Sequence, residues 1–248
     1  MADYIEGKRP VIEALRTQVP MKRILLADNT KRDGLVEDIL RKAKRFDVPV
    51  ITVPRKELEE KSARGSHQGV MAEAKPFGYV DITQIEAAAA AYADEHDGRA
   101  LVIILDHLTD AGNLGAIARS AEVVGASGIV IPNKRSVRVD ASTYKSSAGA
   151  ITHLPVAQVP NLIQVMARLK ERGFWIAGAS EHADDLIWKA NLKGKIALVM
   201  GNESEGLSRV VKESCDFLVK LPIEGEVASL NVAQASTACM YEWLRQNY

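Results

Sequence analysis

Apolar residues in the second half of the chain form short, fully apolar runs separated by longer stretches with helical spacing. A strand buried on both faces of a sheet lacks the polar alternation of a half-exposed strand, so these runs predict a parallel sheet covered by helices on both sides. The predicted strands are residues 100–105, 128–131, 174–177, 196–200 and 217–221, and the predicted helices are residues 115–124, 162–172 and 230–245. The pattern therefore predicts an α/β domain.

The amino-terminal part of the chain shows the same alternation on a smaller scale. Helical patterns cover residues 10–16 and 35–45, and strand-like patterns cover residues 23–27, 48–53 and 69–73. Pro76 and Gly78 interrupt this pattern, and an alanine-rich helix is predicted over residues 84–96. We therefore expect a small α/β domain at residues 1–75, a linker with a leading helix at residues 76–97, and the larger domain at residues 98–248.

The composition is that of a globular protein. Of the 248 residues, 47% are hydrophobic and 26% are charged. The two cysteines, Cys215 and Cys239, have no metal-type spacing, which favours a reducing compartment, and we expect a cytoplasmic protein. The apolar runs are too short to cross a bilayer, so no membrane role is expected.

Positive charge is concentrated in the amino-terminal part. Residues 1–75 contain 16 Lys and Arg against 12 Asp and Glu, an excess of +4, and because the whole chain is neutral the remainder carries −4. A protein that binds nucleic acid needs clustered Lys and Arg to neutralise phosphates. The distribution is consistent with an amino-terminal domain that faces such a polyanion.

Three segments rich in polar residues and glycine follow predicted strands or open predicted helices: NLGAIAR at 113–119, GNESEG at 201–206 and LPIEGEVASLNV at 221–232. Each also has a purely structural interpretation as a capped helix or a glycine-bounded turn. In the first segment, Asn113 would be the helix N-cap, with Arg119 about 9 Å further along the axis. Ligands of α/β folds bind at the carboxyl ends of strands, where the second and third segments lie. The three together favour a functional site.

Several enzyme classes are disfavoured by what these segments lack. The strand at 100–105 is not followed by G-x-G-x-x-G, which argues against a Rossmann dinucleotide site, and the chain has no P-loop. The nucleophile elbow G-x-S-x-G requires glycine where this chain has Asn202, so a serine hydrolase is not expected. None of the five histidines has a metal-ligand spacing, and no metal is expected.

In their order and spacing, the three segments resemble the signature motifs of the SpoU/TrmH group of SPOUT RNA methyltransferases, over about residues 100–245. GKRPVIEAL at 7–15 and SHQGVMA at 66–72 resemble the substrate-binding domain common in this group, which is similar to kink-turn-binding ribosomal proteins. One departure is Ala111, which stands where the family often has proline. The resemblance implies a carboxyl-terminal α/β domain with a deep trefoil knot, a feature that sequence pattern alone does not predict.

The resemblance also implies a reaction, the transfer of a methyl group from S-adenosyl-L-methionine to a ribose 2′-hydroxyl of RNA. The catalytic and orienting residues it implies are Arg119, Asn113, Glu203, Ser229 and Asn231. The cofactor-binding residues it implies are Gly201, Leu221, Ile223 and Leu230. We expect Glu203 to hold the guanidinium of Arg119, and Gly201 to let backbone approach the cofactor closely. Because a guanidinium stays protonated, Arg119 is expected to bind the phosphate beside the target ribose and to activate the hydroxyl by its charge, with proton removal by Arg119 itself left open.

The resemblance extends to the partners of the protein. The amino-terminal domain beside these motifs looks like that of bacterial enzymes acting on a guanosine of 23S rRNA, and tRNA is the nearest alternative. Members of the family are homodimers packed through the knot, so we expect a homodimer that binds RNA and not DNA. A non-catalytic RNA-binding or ribosome-assembly factor is a further alternative. The presence of a polar residue at all five polar motif positions argues against it.

Overall fold

The computed structural model describes residues 4–62, 65, 67–227 and 229–248. Two motif positions lie outside the described residues, Ser66 of the second amino-terminal segment and Ala228 of the third signature motif. The described chain forms two α/β modules, as the alternation of apolar and polar residues predicts.

The amino-terminal module is a four-stranded mixed sheet with three helices. Its elements are β1 (Tyr4–Glu6), α1 (Lys8–Arg16), β2 (Met21–Ala27), α2 (Gly34–Arg45), β3 (Val50–Val53), α3 (Arg55–Lys61) and β4 (Val70–Ala74). The strand order is β1-β4-β2-β3, in which β4 is antiparallel to both neighbours and β3 is parallel to β2. The predicted helices and strands of this part are confirmed, whereas the short β1 and α3 were not predicted.

The carboxyl-terminal module is built on a six-stranded sheet in which every pair is parallel. Its strands are β5 (Ala100–Leu105), β6 (Gly128–Pro132), β7 (Val156–Val159), β8 (Trp175–Ala179), β9 (Lys195–Met200) and β10 (Phe217–Val219). Its helices are α4 (Ile82–Glu95), α5 (Ala111–Val123), α6 (Ala141–Ser146), α7 (Leu162–Glu171), α8 (Arg209–Ser214) and α9 (Val232–Asn247). The predicted parallel sheet covered by helices is confirmed; the trefoil knot stays a prediction.

The strand order of this sheet determines where a site can form. The order is β10-β8-β9-β5-β6-β7, so the chain proceeds from β5 to one side and later returns on the other side through β8, β9 and β10. The adjacent strands β5 and β9 therefore form the switch point, and ligands of open parallel sheets bind outside the carboxyl ends of the strands at such a point. The first signature motif lies in α5, the helix that follows the loop after β5, and the second forms the loop after β9.

Apolar packing explains why the strands follow this order. Alternate residues of β5 point to opposite faces: Leu101, Ile103 and Leu105 belong to the core under α5 and α9, while Val102 and Ile104 belong to the core under α4 and α7. All of these side chains are fully buried. A strand packed on both faces has no solvent side, which is the reason its sequence is apolar throughout.

Helices α5 and α9 lie side by side on one face of this sheet. The hydroxyls of Ser120 and Thr237 are hydrogen-bonded at 2.7 Å between them. Farther along α9, the amide of Asn247 donates to the Leu192 carbonyl at 2.8 Å and fixes the carboxyl end of the helix. Ser120 lies seven residues, or about two turns, after Asn113 in α5. The contact between Ser120 and Thr237 therefore brings the start of α5 beside the start of α9.

The two modules are packed against each other. The Val139 amide donates to the hydroxyl of Tyr79 at 2.9 Å, and the ring of Phe77 packs edge-on against Tyr144 at a centroid distance of 6.4 Å. Val80 pairs with Ala157 as a short extension of the larger sheet. One apolar core cluster contains residues of both modules, so the segment between them is part of the packed structure.

Helix α5 begins earlier than the sequence predicts. Its N-cap is Asp110, whose carboxylate accepts from the Asn113 amide at 2.6 Å, so the expectation that Asn113 is the N-cap is wrong. Aspartate is as good a cap as asparagine, and Ala111 then occupies the first helical position, where proline is favoured. The alanine that replaces the family's proline is therefore at a position where a good helix former also fits.

Candidate active site

A chain of hydrogen bonds joins one residue from each of the three signature motifs at the switch point. The Asn231 side-chain amide donates to Asn113 Oδ1 at 3.0 Å, and the Asn113 side-chain amide donates to Glu203 Oε1 at 3.1 Å. The hydroxyl of Thr109 lies 3.4 Å from Glu203 Oε2. The structure thus brings together three of the five polar residues predicted from the sequence.

The direction of this chain is fixed by a helix cap. Asn231 is the N-cap of α9, and its Oδ1 accepts from the Ala233 amide at 2.9 Å. Its nitrogen must then point outward, so Asn113 presents its oxygen to Asn231 and its own nitrogen to the Glu203 carboxylate. Each amide has one arrangement that satisfies all its partners, and the carboxylate ends the chain as its acceptor.

The loop after β9 is shaped by Asn202. Its side-chain amide donates to the His107 carbonyl at 2.8 Å, and its Oδ1 accepts from the amide and the hydroxyl of Ser204 at 2.9 and 2.8 Å. Backbone bonds between Asn202 and Gly206 close the loop. These contacts hold Glu203 at the tip of the turn, toward Asn113.

Gly201 is required by this loop itself. A Cβ at Gly201 would lie 2.2 Å from the carbonyl carbon of Gly206 and 2.4 Å from the Leu207 amide nitrogen. The backbone of Gly206 and Leu207 fills the space that a side chain would need, and the close approach of the cofactor to Gly201 stays a prediction.

Beside the polar chain lies a cavity of about 290 Å³. All four residues predicted to bind the cofactor, Gly201, Leu221, Ile223 and Leu230, line it, together with Glu203 and Ser229. Ile223 and Leu230 are 43% and 49% exposed, an unusual amount for large apolar side chains that face a cavity. The surface they leave open is one that an apolar ring of a ligand can cover.

Charged side chains around the cavity fit a ligand that carries both signs of charge. Glu181, Glu203 and Glu205 line it, and so do Lys212 and Lys220. Carboxylates suit a sulfonium and an ammonium group, and ammonium groups suit a carboxylate. An apolar wall with both signs of charge matches the adenine, sulfonium and amino-acid parts of S-adenosyl-L-methionine.

Some cavity residues were missed by the sequence analysis. They are Ala179 at the end of β8, the residues 180–182 that follow it, Lys212, Lys220 and the buried Cys239 of α9. The residues after β8 could have been predicted from the sequence, because they lie at the same sheet edge as the motifs. No signal marked Cys239, whose thiol pKa is raised to about 12 by burial.

A second missed feature is the buried Asp106 at the end of β5, which is 1% exposed. One carboxylate oxygen accepts from the Ser208 amide at 2.7 Å, and the other lies 2.5 Å from His107 Nδ1. Asp106 therefore ties the loop after β5 to the segment after the second motif. It acts as a positioning residue for the two loops that form the polar chain.

Arg119 lies apart from the polar chain. It is six residues after Asn113 on α5, which places it about 240° around the helix. It lines a separate cleft between the modules, with Arg16, Gln18 and His153. The expected pairing with Glu203 is absent, because that carboxylate accepts from Asn113 and Thr109. In the described structure the Arg119 guanidinium is exposed and has no ion-pair or hydrogen-bond partner.

The described part of the chain contains neither a candidate metal cluster nor a membrane-spanning helix. No cluster of three His, Cys, Asp or Glu side chains there could hold a metal ion. No described helix has the length and apolar character needed to span a membrane.

Comparison with known proteins places this geometry in a family context. The model of the SpoU rRNA Methylase family matches residues 100–241, and the model for RNA 2′-O ribose methyltransferase substrate binding matches residues 4–80. A protein of Bacillus subtilis (strain 168) named as a TrmH family tRNA/rRNA methyltransferase, YacO, is 39% identical over 244 residues, 98% of this chain and 96% of that one. A protein of Staphylococcus aureus (strain MSSA476) named as a TrmH family tRNA/rRNA methyltransferase is 38% identical over 246 residues, 98% of this chain and 96% of that one.

A solved structure has the same arrangement of elements. The SpoU methyltransferase AviRb from Streptomyces viridochromogenes, crystallised with its cofactor AdoMet, superposes with a TM-score of 0.73 at 26% sequence identity. The match covers 99% of this chain and 90% of that one, and so includes both modules.

Proposed function

The chain belongs to the SpoU rRNA methylase family, and we propose that it methylates a ribose 2′-hydroxyl of RNA, with S-adenosyl-L-methionine as the methyl donor. The observation that carries the proposal is the hydrogen-bonded chain Asn231–Asn113–Glu203 beside the cavity. Support for ribose as the acceptor comes from the amino-terminal match to a model for RNA 2′-O ribose methyltransferase substrate binding.

The cavity residues bind and orient the donor. Leu221, Ile223 and Leu230 offer apolar surface for an adenine ring, and Glu203 and Glu205 complement a positive sulfonium. When bound, the cofactor supplies a methyl group activated by that sulfonium. Because methyl transfer requires the acceptor oxygen in line with the methyl group at near-attack distance, rigid orientation of both partners can contribute several kcal/mol.

The polar chain positions the ribose. Glu203 is exposed and keeps lone pairs beyond the bonds from Asn113 and Thr109, so it can accept a hydrogen bond from a ribose hydroxyl. Ser229, at the mouth of the cavity, can bond a neighbouring ribose or phosphate oxygen. Both side chains reach an acceptor placed between the cavity and the start of α5.

Arg119 acts on the phosphate. Its guanidinium has no ion-pair or hydrogen-bond partner among the described residues. A phosphate of the bound RNA can take both nitrogens of the guanidinium, so Arg119 would hold the RNA strand from the cleft that it lines with Arg16.

We propose a guanosine of 23S rRNA as the target, as the resemblance of the whole chain implies. The family model names rRNA, while the relatives from Bacillus and Staphylococcus are named for tRNA/rRNA, so tRNA is the second candidate. We also propose a homodimer, since Tyr241 on α9 is 48% exposed and offers apolar surface to a second copy. Sedimentation of the protein and of Tyr241→Glu tests the dimer.

The experiment for the reaction is transfer of labelled methyl groups from S-adenosyl-L-methionine to total rRNA and tRNA from a strain that lacks the protein. Nucleoside analysis then identifies the labelled product, and Glu203→Gln is the control. Label in 2′-O-methylguanosine of 23S rRNA is the expected result. Label in tRNA would change the target, and label on a base would overturn the ribose assignment.

A further inference from the structure

Charge is segregated along the carboxyl edge of the larger sheet. The loop from β9 to α8 contains two glutamates, and the loop from β10 to α9 contains two more glutamates and a single lysine. The loop between β6 and α6, residues 133–140, contains Lys134, Arg135 and Arg138, and its one acidic residue is Asp140 at its end. All three cations are exposed, and the described structure gives them no ion-pair partner.

The nearest carboxylate does not neutralise this loop. Asp140 caps α6 and accepts from the amides of Ser142 and Thr143 at 2.8 and 3.1 Å. One oxygen of this carboxylate is therefore engaged at the start of the helix, and no ion pair joins the described Asp140 to the three cations. Lys134, Arg135 and Arg138 remain available to a partner outside the chain.

The loop is held in place by its backbone and its apolar residues. The Val137 amide and the Ser136 hydroxyl both donate to the Leu108 carbonyl, at 2.7 and 3.3 Å. Val137 and Val139 are buried, and the Val139 amide donates to Tyr79. The cations alternate with these anchors, so binding a ligand there requires little further ordering of the backbone.

This anchoring places the loop next to the polar chain. Leu108 lies directly before Thr109, whose hydroxyl faces Glu203. Strand β6 is the neighbour of β5, and β5 is the neighbour of β9, so the loops after β6 and β9 are separated by two strand spacings, about 10 Å. The β6 side is the more favourable approach for a polyanion, because its cations are unpaired while the loops after β9 and β10 contain four glutamates.

We propose that Lys134, Arg135 and Arg138 bind the phosphate backbone of the RNA adjacent to the target ribose. This inference rests on the proposed function and adds to it the direction from which the RNA enters. Arginine is suited to the task because its guanidinium binds phosphate through two parallel hydrogen bonds. The residues are spaced along a fixed loop, so they contact successive phosphates of a strand that leads into the site.

The test is the salt dependence of RNA binding by Arg135→Gln/Arg138→Gln. The control is Lys193→Gln/Lys195→Gln, which removes the same charge at the amino end of β9, on the opposite edge of the sheet. Each phosphate contact contributes about 0.7 to the slope of log K against log salt for a single strand, so the loop variant should lose about 1.4 of the slope. Its affinity for substrate RNA should fall at least roughly tenfold at moderate salt.

The affinity for S-adenosyl-L-methionine and the melting temperature should be unchanged in both variants, and the control should bind RNA as the wild type does. A loop variant with wild-type slope and affinity, in a protein that methylates RNA, would overturn the loop assignment and leave the reaction standing. Loss of cofactor affinity together with RNA affinity would also overturn it, because the loop would then act on the fold. A wild-type protein that neither binds nor methylates RNA would refute the proposed function instead.

Discussion

Asn231 has two separable tasks, and substitutions can divide them. Its Oδ1 caps α9 through the Ala233 amide, and its nitrogen donates to Asn113. Asn231→Ala removes both interactions. Asn231→Asp keeps a carboxylate oxygen for the cap, since Asp and Asn are about equally good at this position, but it replaces the donor with an acceptor.

The stability effects follow from the cap. Loss of a good N-cap costs about 1 kcal/mol. For a chain of this size that lowers the melting temperature by about 2–4 °C, which we expect for Asn231→Ala. Asn231→Asp should melt within about 1 °C of the wild type, because its cap is intact and a negative charge at a helix start is favourable.

The activity effects follow from the polar chain. In Asn231→Asp, the oxygen of Asn113 faces a carboxylate; if the amide turns over to donate to it, the bond to Glu203 is lost. The first arrangement loses the bond between the two neutral amides, and the second loses the bond from Asn113 to the Glu203 carboxylate. Each loss costs about 1.5 kcal/mol, at the upper end for a bond between neutral groups and at the lower end for a bond to a charged group. That corresponds to about a tenfold lower rate of methyl transfer in both variants.

The measurement is single-turnover methyl transfer with saturating cofactor and RNA, beside calorimetric melting of the same preparations. Asn231→Asp should be slow and stable, and Asn231→Ala slow and less stable. If Asn231→Asp transfers methyl groups at the wild-type rate, the polar chain does not position the acceptor. If it melts as early as Asn231→Ala, the cap is not what stabilises this end of α9.

Three further variants test the remaining roles. Arg119→Ala should abolish methyl transfer with cofactor affinity nearly intact, since Arg119 lies outside the cavity; equal loss of both in kinetics and calorimetric titration would contradict its role. Leu230→Asp places a charge in the cavity wall and should weaken cofactor binding at least tenfold, whereas Val210→Asp, at an exposed position away from the cavity, should not. Gly201→Ala would force a Cβ into the backbone of its own loop and should weaken cofactor binding. Gly225→Ala, with open space around it, should bind the cofactor as the wild type does. Equal cofactor affinities of the two variants would refute the role of Gly201 in shaping the loop.

The fold of the larger module could be predicted because β5 and its neighbours are buried on both faces, so burial and sequence pattern coincide. β7 was missed because it has four residues and includes the polar Gln158. α6 was missed because its six residues include two serines and a threonine, which are poor helix formers. It forms where Gly115 allows it to pack closely on α5; a Cβ there would lie 2.5 Å from the Thr143 carbonyl oxygen.

Much of the candidate site could also be predicted, since parallel strands bring their carboxyl ends to one edge and the motifs follow those strands. The face of α5 on which Arg119 lies could have been deduced as well, because two helical residues six positions apart do not lie on the same face. What the sequence could not show is the partner of Glu203. That choice depends on the lateral packing of α5 against α9, which no local pattern encodes.

The polar chain divides the carboxyl edge into two chemically different halves. On the β9 and β10 side lies the cavity, with apolar surface and carboxylates that suit a sulfonium. On the β6 side lies a loop with three free cations that suit phosphate. A methyl group must cross from a positively charged donor to an acceptor on a polyanion, and each partner would be repelled from the other's half. Asn113 and Asn231 join the two halves. Because both are held at the ends of helices, they keep the two halves in fixed positions relative to each other.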